Sequence, residues 1–567
     1  MSADFKKVLV KDDRLAVTDS VNYAVMKGGQ NITTARYNAI SQTNSSHTYT
    51  VIVPSEQTIC DRRVIWNSTV CLQLTGIPSA GKFLIDYGRN DALSAFPLHQ
   101  LTSTITATIN NNTVSINMRD VLPAILRFND KRELARYNGM TPTAFDTYKY
   151  YADALDANNN PLGSFVNVAD NDLVPRGAFD VIIVSALDAN GVPTGALVAG
   201  DGVAQRTAYI QFTVSEPLLL SPFIFGNPQS NNQGFYGIQN MNFVMNIGDA
   251  SRVWRHGSSW AVNASVYSFT NSRLIFQFLT PHPDDLMPAR NVVPYYELPR
   301  YLSTGFSSLS ASNTATLSSN SIQLNQIPDK LIIFARKPMS QQTNTDTDSF
   351  LTINQISINF NNNAGILSTS TPYDLYRFSV EAGSNQSWLE FSGKCKAHDQ
   401  LTGKGKDVYT SGSLLVLDMA RHLQLTESFY APGSLGNFNI QFNVNVTNNS
   451  NDAVTPELVL ITMNSGVFIC ERGTSQTYTG ILTKQDVMET SQQEPYKRSD
   501  VMRMMGGGFL DTLKSLASSL LPKLPSVAKS VLSNVPHPMA QAVSSGLGAM
   551  GYGASGGKKG KLANHLM

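Results

Sequence analysis

The amino-acid sequence predicts an all-β protein in which two similar β-sandwich domains follow one another along the chain. Three observations lead to this prediction: many short segments alternate apolar and polar residues, helical periodicity is scarce, and a set of strand-like segments recurs in the same order. With 567 residues, the chain suits two or three domains better than one.

Composition favours a folded protein with broad contacts to other proteins. Hydrophobic residues make up 42% of the chain, which is enough to fill real cores, whereas charged residues reach only 15%. A typical soluble domain has roughly 25% charged residues. Because interface cores are depleted of charge, this surface favours self-assembly, although an ordinary all-β protein remains an alternative. The formal net charge of +1 argues against nucleic-acid binding along the whole chain.

The alternation is clearest in LTSTITATI at 101–109, which is followed by three asparagines and then by TVSINM at 113–118. This pattern predicts a β-hairpin, since asparagine tolerates the positive φ that tight turns need. Two helices are indicated, at 120–128 and 144–155. Further strands are predicted at 49–53, 64–74, 180–184, 209–214, 242–247, 273–278, 321–324, 330–335, 351–360, 414–417, 438–446 and 457–462.

The strand-like segments of the first half recur in the second half. Four pairs appear in the same order: 61–66 with 329–334, LTSTITATINNN at 101–112 with LTINQISINFNNN at 351–363, the Arg-Phe pairs at 127–128 and 377–378, and 240–246 with 437–443. Chance similarity of Asn- and Ile-rich segments is the alternative. Four ordered matches favour tandem duplication of one β-domain, with loops of different length between common strands.

Composition also suggests where the domains begin and end. The stretch from 282 to 299 is rich in proline and is typical of a connector. We therefore expect a first domain with an N-terminal arm at 1–275, a second domain at 276–495 and a C-terminal tail at 496–567. From 508 onward the tail has six lysines and one acidic residue, which gives it a net charge of +5.

No arrangement of residues with catalytic spacing is present in the sequence. None of the eight histidines has another at i+2, i+3 or i+4, and no phosphate-binding glycine loop or GxSxG motif occurs. His282 with Asp284 and Asp285 is better interpreted as a solvated loop than as a cation site. We expect no enzyme activity, no cofactor, no metal and no small-molecule substrate. The four cysteines lack CxxC spacing and are expected to be reduced and buried.

Targeting signals are also missing from the sequence. The N-terminus, MSADFKKVLVKDDRLAV, has no apolar core and does not predict a signal peptide. No run of about 18 apolar residues predicts a membrane span. We expect a protein that is made inside the cell.

Several longer strings resemble the major capsid proteins of the virophages and of the related polinton-like viruses. They are GRNDALSAFP at 88–97 leading into 101–116, NNNPLG at 158–163, VPYYELPRY at 293–301, SNSIQLNQIPDKLIIFAR at 319–336 and VPHP at 535–538. The resemblance covers nearly the whole chain. It implies two eight-stranded jelly rolls, and three chains that form a pseudo-hexagonal capsomer of an icosahedral shell.

The resemblance implies a virion protein whose partners are further copies of itself, penton and minor capsid proteins, and a viral cysteine maturation protease. Met504, Gly506, Gly507 and Gly508 resemble the cleavage site of adenovirus-type maturation proteases. Because glycines let an extended backbone enter a narrow cleft, cleavage after Gly507 is one interpretation. A flexible hinge is the other.

The segment beyond Gly508 predicts an amphipathic helix. Its lysines favour two alternatives, binding of viral DNA inside the shell or binding of a membrane after release. The residues that define the two faces include Phe509, Leu513, Lys514, Leu516, Leu520 and Lys523.

A different class of function stays open on the sequence alone. A lectin-like surface-binding β-protein would need an exposed aromatic ledge, and Trp254 and Trp260 are the candidates for it. A buried core pair is the simpler interpretation of these two tryptophans.

Overall fold

The structure is a computed structural model of the chain. It describes residues 5–11, 22–28, 31–78, 91–128, 147–149, 181–184, 186–187, 193–194, 205–223, 234–256, 262–280, 290–398, 403, 405–423, 425 and 430–480. The candidate cleavage site, the amphipathic tail, Trp260 and the His282 loop lie outside these residues.

The elements of the first half are mainly strands. They are β1 (Phe5–Lys11), β2 (Asn22–Gly28), β3 (Asn31–Asn38), β4 (Ser41–Gln42), β5 (Ser46–Ile52), β6 (Ile59–Cys60), β7 (Ile65–Pro78), β8 (Asp91–Leu93), α1 (Pro97–Leu101), β9 (Thr102–Ile109), β10 (Asn112–Ile116), α2 (Met118–Phe128), β11 (Val181–Val184), β12 (Ala186–Leu187), β13 (Pro193–Thr194), β14 (Gln205–Pro217), β15 (Asn240–Ile247), β16 (Trp254–His256) and β17 (Asn263–Thr280).

The second half also consists mainly of strands. Its elements are β18 (Arg290–Glu297), β19 (Arg300–Ser303), β20 (Thr314–Ser318), β21 (Ile322–Gln326), β22 (Lys330–Arg336), β23 (Thr352–Phe360), β24 (Asn363–Ile366), α3 (Pro372–Glu381), α4 (Trp388–Phe391), β25 (Lys394–His398), β26 (Gly405–Tyr409), β27 (Leu415–Asp418), α5 (Met419–His422), β28 (Leu435–Thr447), β29 (Glu457–Glu471) and β30 (Thr474–Thr479). None of the helices in the described part of the chain is long and apolar enough to cross a membrane.

Both halves have jelly-roll topology. In the first, the two sheets contain the strand orders β3-β17-β7-β14 and β5-β15-β9-β10, with β11 added beside β14, β6 beside β17 and β4 beside β5. Numbered along the chain, these are strands 1-8-3-6 and 2-7-4-5. In the second half the orders are β18-β29-β22-β27 and β20-β28-β23-β24, which give the same numbering once β19 and β21 are counted with β18 and β20. Antiparallel pairing throughout and this shared order confirm two tandem jelly rolls.

The segments matched in the sequence lie on equivalent strands. The pair 101–112 and 351–363 contains β9 and β23, and the pair 240–246 and 437–443 lies on β15 and β28. The register of the second pair is wrong by two residues, because Met241 pairs with Ile109 whereas Ile440, not residue 438, pairs with Phe360. A slip of two keeps every side chain on its own face of the sheet, so the alternation did not reveal it.

The triple asparagines make equivalent turns. Asn110 has φ 53° and Asn361 has φ 50°, and each begins a two-residue connection between paired strands. Their side-chain oxygens accept hydrogen bonds from the backbone N–H of Gln239 (2.9 Å) and Asn439 (2.8 Å). Asparagine therefore supplies both the left-handed conformation and a bond to the backbone of the neighbouring segment.

The predicted helix at 144–155 is wrong where the structure describes it. Residues 147–149 are not helical, and Tyr148 forms an isolated β-bridge with Thr410 of the second jelly roll. The helix predicted at 120–128 is confirmed as α2. Helices α3 and α4 were not predicted from the sequence, although a capping box marks the start of each, at Thr371 and Ser387.

Candidate functional site

The second jelly roll buries both faces of the sheet that contains β22. Leu331, Ile333 and Ala335 point into its own core, and Ile332 and Phe334 belong to the core of the first jelly roll. The same division holds along β27 and β29, where alternate residues belong to different cores. Strands buried on both faces are expected to be apolar throughout, as LIIFA at 331–335 is. One outward sheet face is therefore the surface on which the two domains meet.

A buried ionic cluster crosses this junction at Asp348. Its carboxylate lies 3.1 Å from the Arg252 guanidinium and 3.8 Å from that of Arg255, and the Gln100 side-chain amide donates to it at 3.2 Å. Arg127 donates to the backbone carbonyl of Asp348 at 2.9 Å. Asp348 belongs to the second jelly roll, and the other four residues belong to the first.

Burial and charge act in opposite directions on this carboxylate. Burial by itself would raise the pKa of Asp348, but the neighbouring Arg252, Arg255 and Arg127 outweigh it and lower that pKa below its usual value. Burial lowers the pKa of Arg252 despite the attraction of Asp348. The aspartate is thus held ionised among arginines inside the protein.

A second cluster crosses the junction with the charges exchanged. Asp120, on α2 of the first jelly roll, pairs with Arg336 and, at 2.8 Å, with Arg300. Arg336 also donates to Glu457 at 2.6 Å. Both arginines belong to the second jelly roll, so for the pairs that cross the junction each domain supplies the acid in one cluster and the base in the other. Displacing either domain would leave charges buried without partners, which costs several kcal/mol per ion.

Two further contacts join the two domains at the ends of the junction. The Asn110 turn lies against β30, where Ser475 N–H donates to the side chain of Asn111 at 2.9 Å and Ser475 Oγ donates to the carbonyl of Ile109. Elsewhere Lys149 N–H donates to the Tyr409 carbonyl at 3.0 Å. Burial lowers the pKa of the Lys149 ammonium to about 8. The junction thus extends over several separate segments and fixes one relative orientation of the two domains.

The arrangement is structural in its chemistry. His99 is fully buried with its Nδ1 2.5 Å from Glu216, while its Nε2 accepts the Leu219 N–H at 3.3 Å, so its hydrogen-bonding capacity is used within the fold. No group of three His, Cys, Asp or Glu side chains suited to a metal occurs among the described residues. Trp254 is fully buried and does not form an exposed ledge.

The structure does not place the site residues predicted from the sequence. The candidate cleavage residues and the tail residues lie outside the described residues. The cysteines are all free, and Cys60, Cys71 and Cys470 are buried as expected, whereas Cys395 is only partly buried. The charged residues of the junction were missed, although Arg336, directly after the apolar run LIIFA at 331–335, was a signal of a buried pair.

Comparison with known proteins shows the family to which this two-domain chain belongs. The family model described as the first domain of the Sputnik virophage major capsid protein matches residues 3–279, and that described as the C-terminal domain of major capsid protein V20 matches residues 298–466. The capsid protein V20 of Sputnik virophage is 30% identical over 584 residues, covering 97% of this chain and 95% of that protein. The chain belongs to the virophage major capsid protein family.

Solved structures agree with this assignment. The structure of the Sputnik virophage from cryo-electron microscopy at 3.5 Å contains a chain that matches with a TM-score of 0.74 and 27% identity, over 88% of this chain and 98% of that one. The mavirus major capsid protein shares the fold, with a TM-score of 0.66 and 13% identity over 82% of this chain and 93% of that one.

Membership in the major capsid protein family establishes a shell-forming role in the virion. The family is structural and not enzymatic, as predicted from the sequence. A shell subunit must present the same outline to every neighbour. A junction that holds two jelly rolls in one orientation meets that requirement.

Proposed function

We propose that three copies of this major capsid protein form a ring of six jelly rolls, the pseudo-hexagonal capsomer of an icosahedral shell. The observation that supports this is the form of the junction. The first jelly roll contributes α2 and loops, while the second contributes an outward sheet face, so the contact joins two different surfaces of similar domains. Contacts of this heterologous kind, repeated between like domains, generate closed rings when the rotation between neighbours closes.

Three two-domain chains are the simplest way to reach six positions. A ring with six corners tiles a surface, and the duplication supplies two corners per chain. The internal junction would then alternate with a similar contact between chains. The same copies would meet neighbouring capsomers, penton proteins and minor capsid proteins across the outer edges of the ring.

The mass of the purified full-length protein in solution tests this proposal. Since one chain has a mass of 61.8 kDa, light scattering after size-exclusion chromatography should give about 185 kDa, three times that value. Mixing chains that carry two different tags should give trimers with all four combinations of the two tags. A monodisperse monomer or dimer would contradict the proposed capsomer.

We also propose the domain division of the chain. The first jelly roll with its N-terminal arm would occupy 1–275, the second 276–495 and the tail 496–567. Strand β17 runs to Thr280 and β18 begins at Arg290, which supports a connector between them and moves the first boundary about five residues onward. The second jelly roll includes β30, which ends at Thr479.

For the tail, we propose cleavage after Gly507 by a viral cysteine maturation protease, inside the host cell during assembly. The sequence at 504–508 and its position beyond the second jelly roll support the proposal. Before cleavage the lysines of the tail would face viral DNA, and after release the segment would be free to bind a membrane. Both roles depend on the net charge of +5 in the segment from 508 to 567.

A further inference from the structure

An aromatic cluster on the second jelly roll is exposed to solvent. Tyr373 and Tyr376 of α3 surround Trp388 of α4, with ring centroids 5.4 Å from that of Trp388 in both cases. Tyr373 is 57% exposed, Trp388 40% and the adjoining Leu389 36%. Large apolar groups clustered on a surface mark interaction sites. We call these four residues the α3–α4 cluster.

The counterpart of α3 in the first jelly roll shows what covers such a helix. Both α2 and α3 follow the fifth strand of their jelly roll, β10 and β24 respectively. In α2 every residue except Arg119 is buried, because the helix faces the second jelly roll. In α3 only Leu375 and Ser379 are buried. The two helices hold equivalent positions, and among the described residues only α2 is covered by the other jelly roll.

The partner surface also has a counterpart, which is exposed along β14 and β17 and buried along β7. The second jelly roll covers α2 with the outward face of the sheet β27-β22-β29, and the equivalent sheet of the first jelly roll is β14-β7-β17. Its outward face contains the buried Thr69, whose hydroxyl bonds that of the exposed Thr213 at 2.9 Å, and the Tyr209–Tyr267 ring pair with centroids 5.2 Å apart. Tyr267 is 41% exposed. This face carries hydroxyls where its counterpart in the second jelly roll is apolar.

From these two counterparts we infer that the α3–α4 cluster binds the outward face of the sheet β14-β7-β17 on a second copy of this chain, through its exposed β14 and β17 residues. The inference rests on the proposed trimer and identifies its contact surfaces. Tyrosine and tryptophan rings dominate the energetics of interfaces, and a face that carries tyrosines and threonines offers both apolar area and hydrogen bonds. The contact between chains is therefore more polar than the contact within a chain.

A double variant, Tyr373→Ser with Trp388→Ser, tests the inference on the full-length chain. Both side chains are at least 40% exposed, so the circular dichroism spectrum should stay as in the unchanged protein. The matched control is Ile52→Ser, because Ile52 is 68% exposed and lies on the other sheet of the first jelly roll. The measurement is mass by light scattering at equal concentrations.

We expect the mass of three chains for the unchanged protein and for Ile52→Ser, and the mass of one chain for the double variant. Tyr267→Ser, on the opposing surface, should weaken the trimer as well. A double variant that remains as trimeric as the control would overturn the inference and leave the proposed function standing. If the unchanged protein is not a trimer, the proposed function fails, and the inference fails with it.

Discussion

The most demanding prediction concerns Asp348, the acid among three arginines at the junction. Asp348→Asn keeps the shape of the side chain and the backbone carbonyl that accepts from Arg127, but it removes the negative charge. Arg252 and Arg255, which are 4% and 1% exposed, are then left without that carboxylate. Breaking a buried ion pair by removing one partner costs about 3–5 kcal/mol, because the other charge stays buried.

The size of the expected shift follows from the size of the protein. For two jelly rolls that unfold together, roughly 480 residues at about 2.1 cal/mol/K each give an unfolding entropy of about 1 kcal/mol/K. Asp348→Asn should therefore lower the melting temperature by about 3–5 °C in scanning calorimetry. Because the pKa of Asp348 is lowered in the folded state, its contribution is complete above the unfolded pKa of about 3.9. The deficit should thus be the same from pH 5 to pH 8.

The matched control is Asp407→Asn, whose carboxylate pairs with Lys396 at 2.7 Å on the surface. Exposed pairs contribute little, so this variant should melt with the unchanged protein. Adding Arg252→Met to Asp348→Asn removes one of the stranded charges and should recover part of the loss. Equal melting temperatures for Asp348→Asn and Asp407→Asn would refute the reasoning, as would a double variant less stable than Asp348→Asn.

Three further predictions concern other parts of the chain. Burial lowers the pKa of His47 from 6.5 to about 4. The stability that its neutral form provides is therefore complete above pH 6.5 and is lost as the pH falls. His47→Gln should remove about 2 kcal/mol of the loss in unfolding free energy between pH 6.5 and pH 5, measured by urea unfolding. Gly412 has φ 86° and lies against a backbone carbonyl, whereas Gly305 has φ 87° and lies in open space. Gly412→Ala should therefore lower the unfolding free energy by about 1–3 kcal/mol more than Gly305→Ala. Equal urea midpoints for the two variants would contradict this. Incubation with an adenovirus-type maturation protease should give a product ending at Gly507 by mass spectrometry, and Gly507→Val should block it; an intact unchanged chain would exclude the site.

Much of the fold could be predicted because it depends on local patterns. The alternation at 101–109 and the asparagines after it specify a hairpin, and its recurrence at 351–363 revealed the duplication. What the alternation could not give was the register of 437–443, since a shift of two residues preserves the apolar face. Helix α3 was missed because its exposed face is itself aromatic and gives no clear helical stripe, although Thr371 and Asp374 form a capping box.

The junction could not be predicted in the same way. Arg252 and Asp348 are 96 residues apart in the chain, and Arg336 and Asp120 are 216 apart. No periodicity connects residues at such separations, and only the arrangement of the two jelly rolls brings them together. The chain still carried one indication, since an arginine directly after five consecutive buried apolar residues needs a buried partner.

The capsomer itself gives the most direct test of the central claim, that this chain is a two-domain tile in a six-cornered shell unit. Electron microscopy of the purified assembly should show three chains around a threefold axis, six jelly rolls at similar radius, and α3 of each chain against β7 of the next. A particle with twofold symmetry, or a ring whose jelly rolls number other than six, would contradict the account.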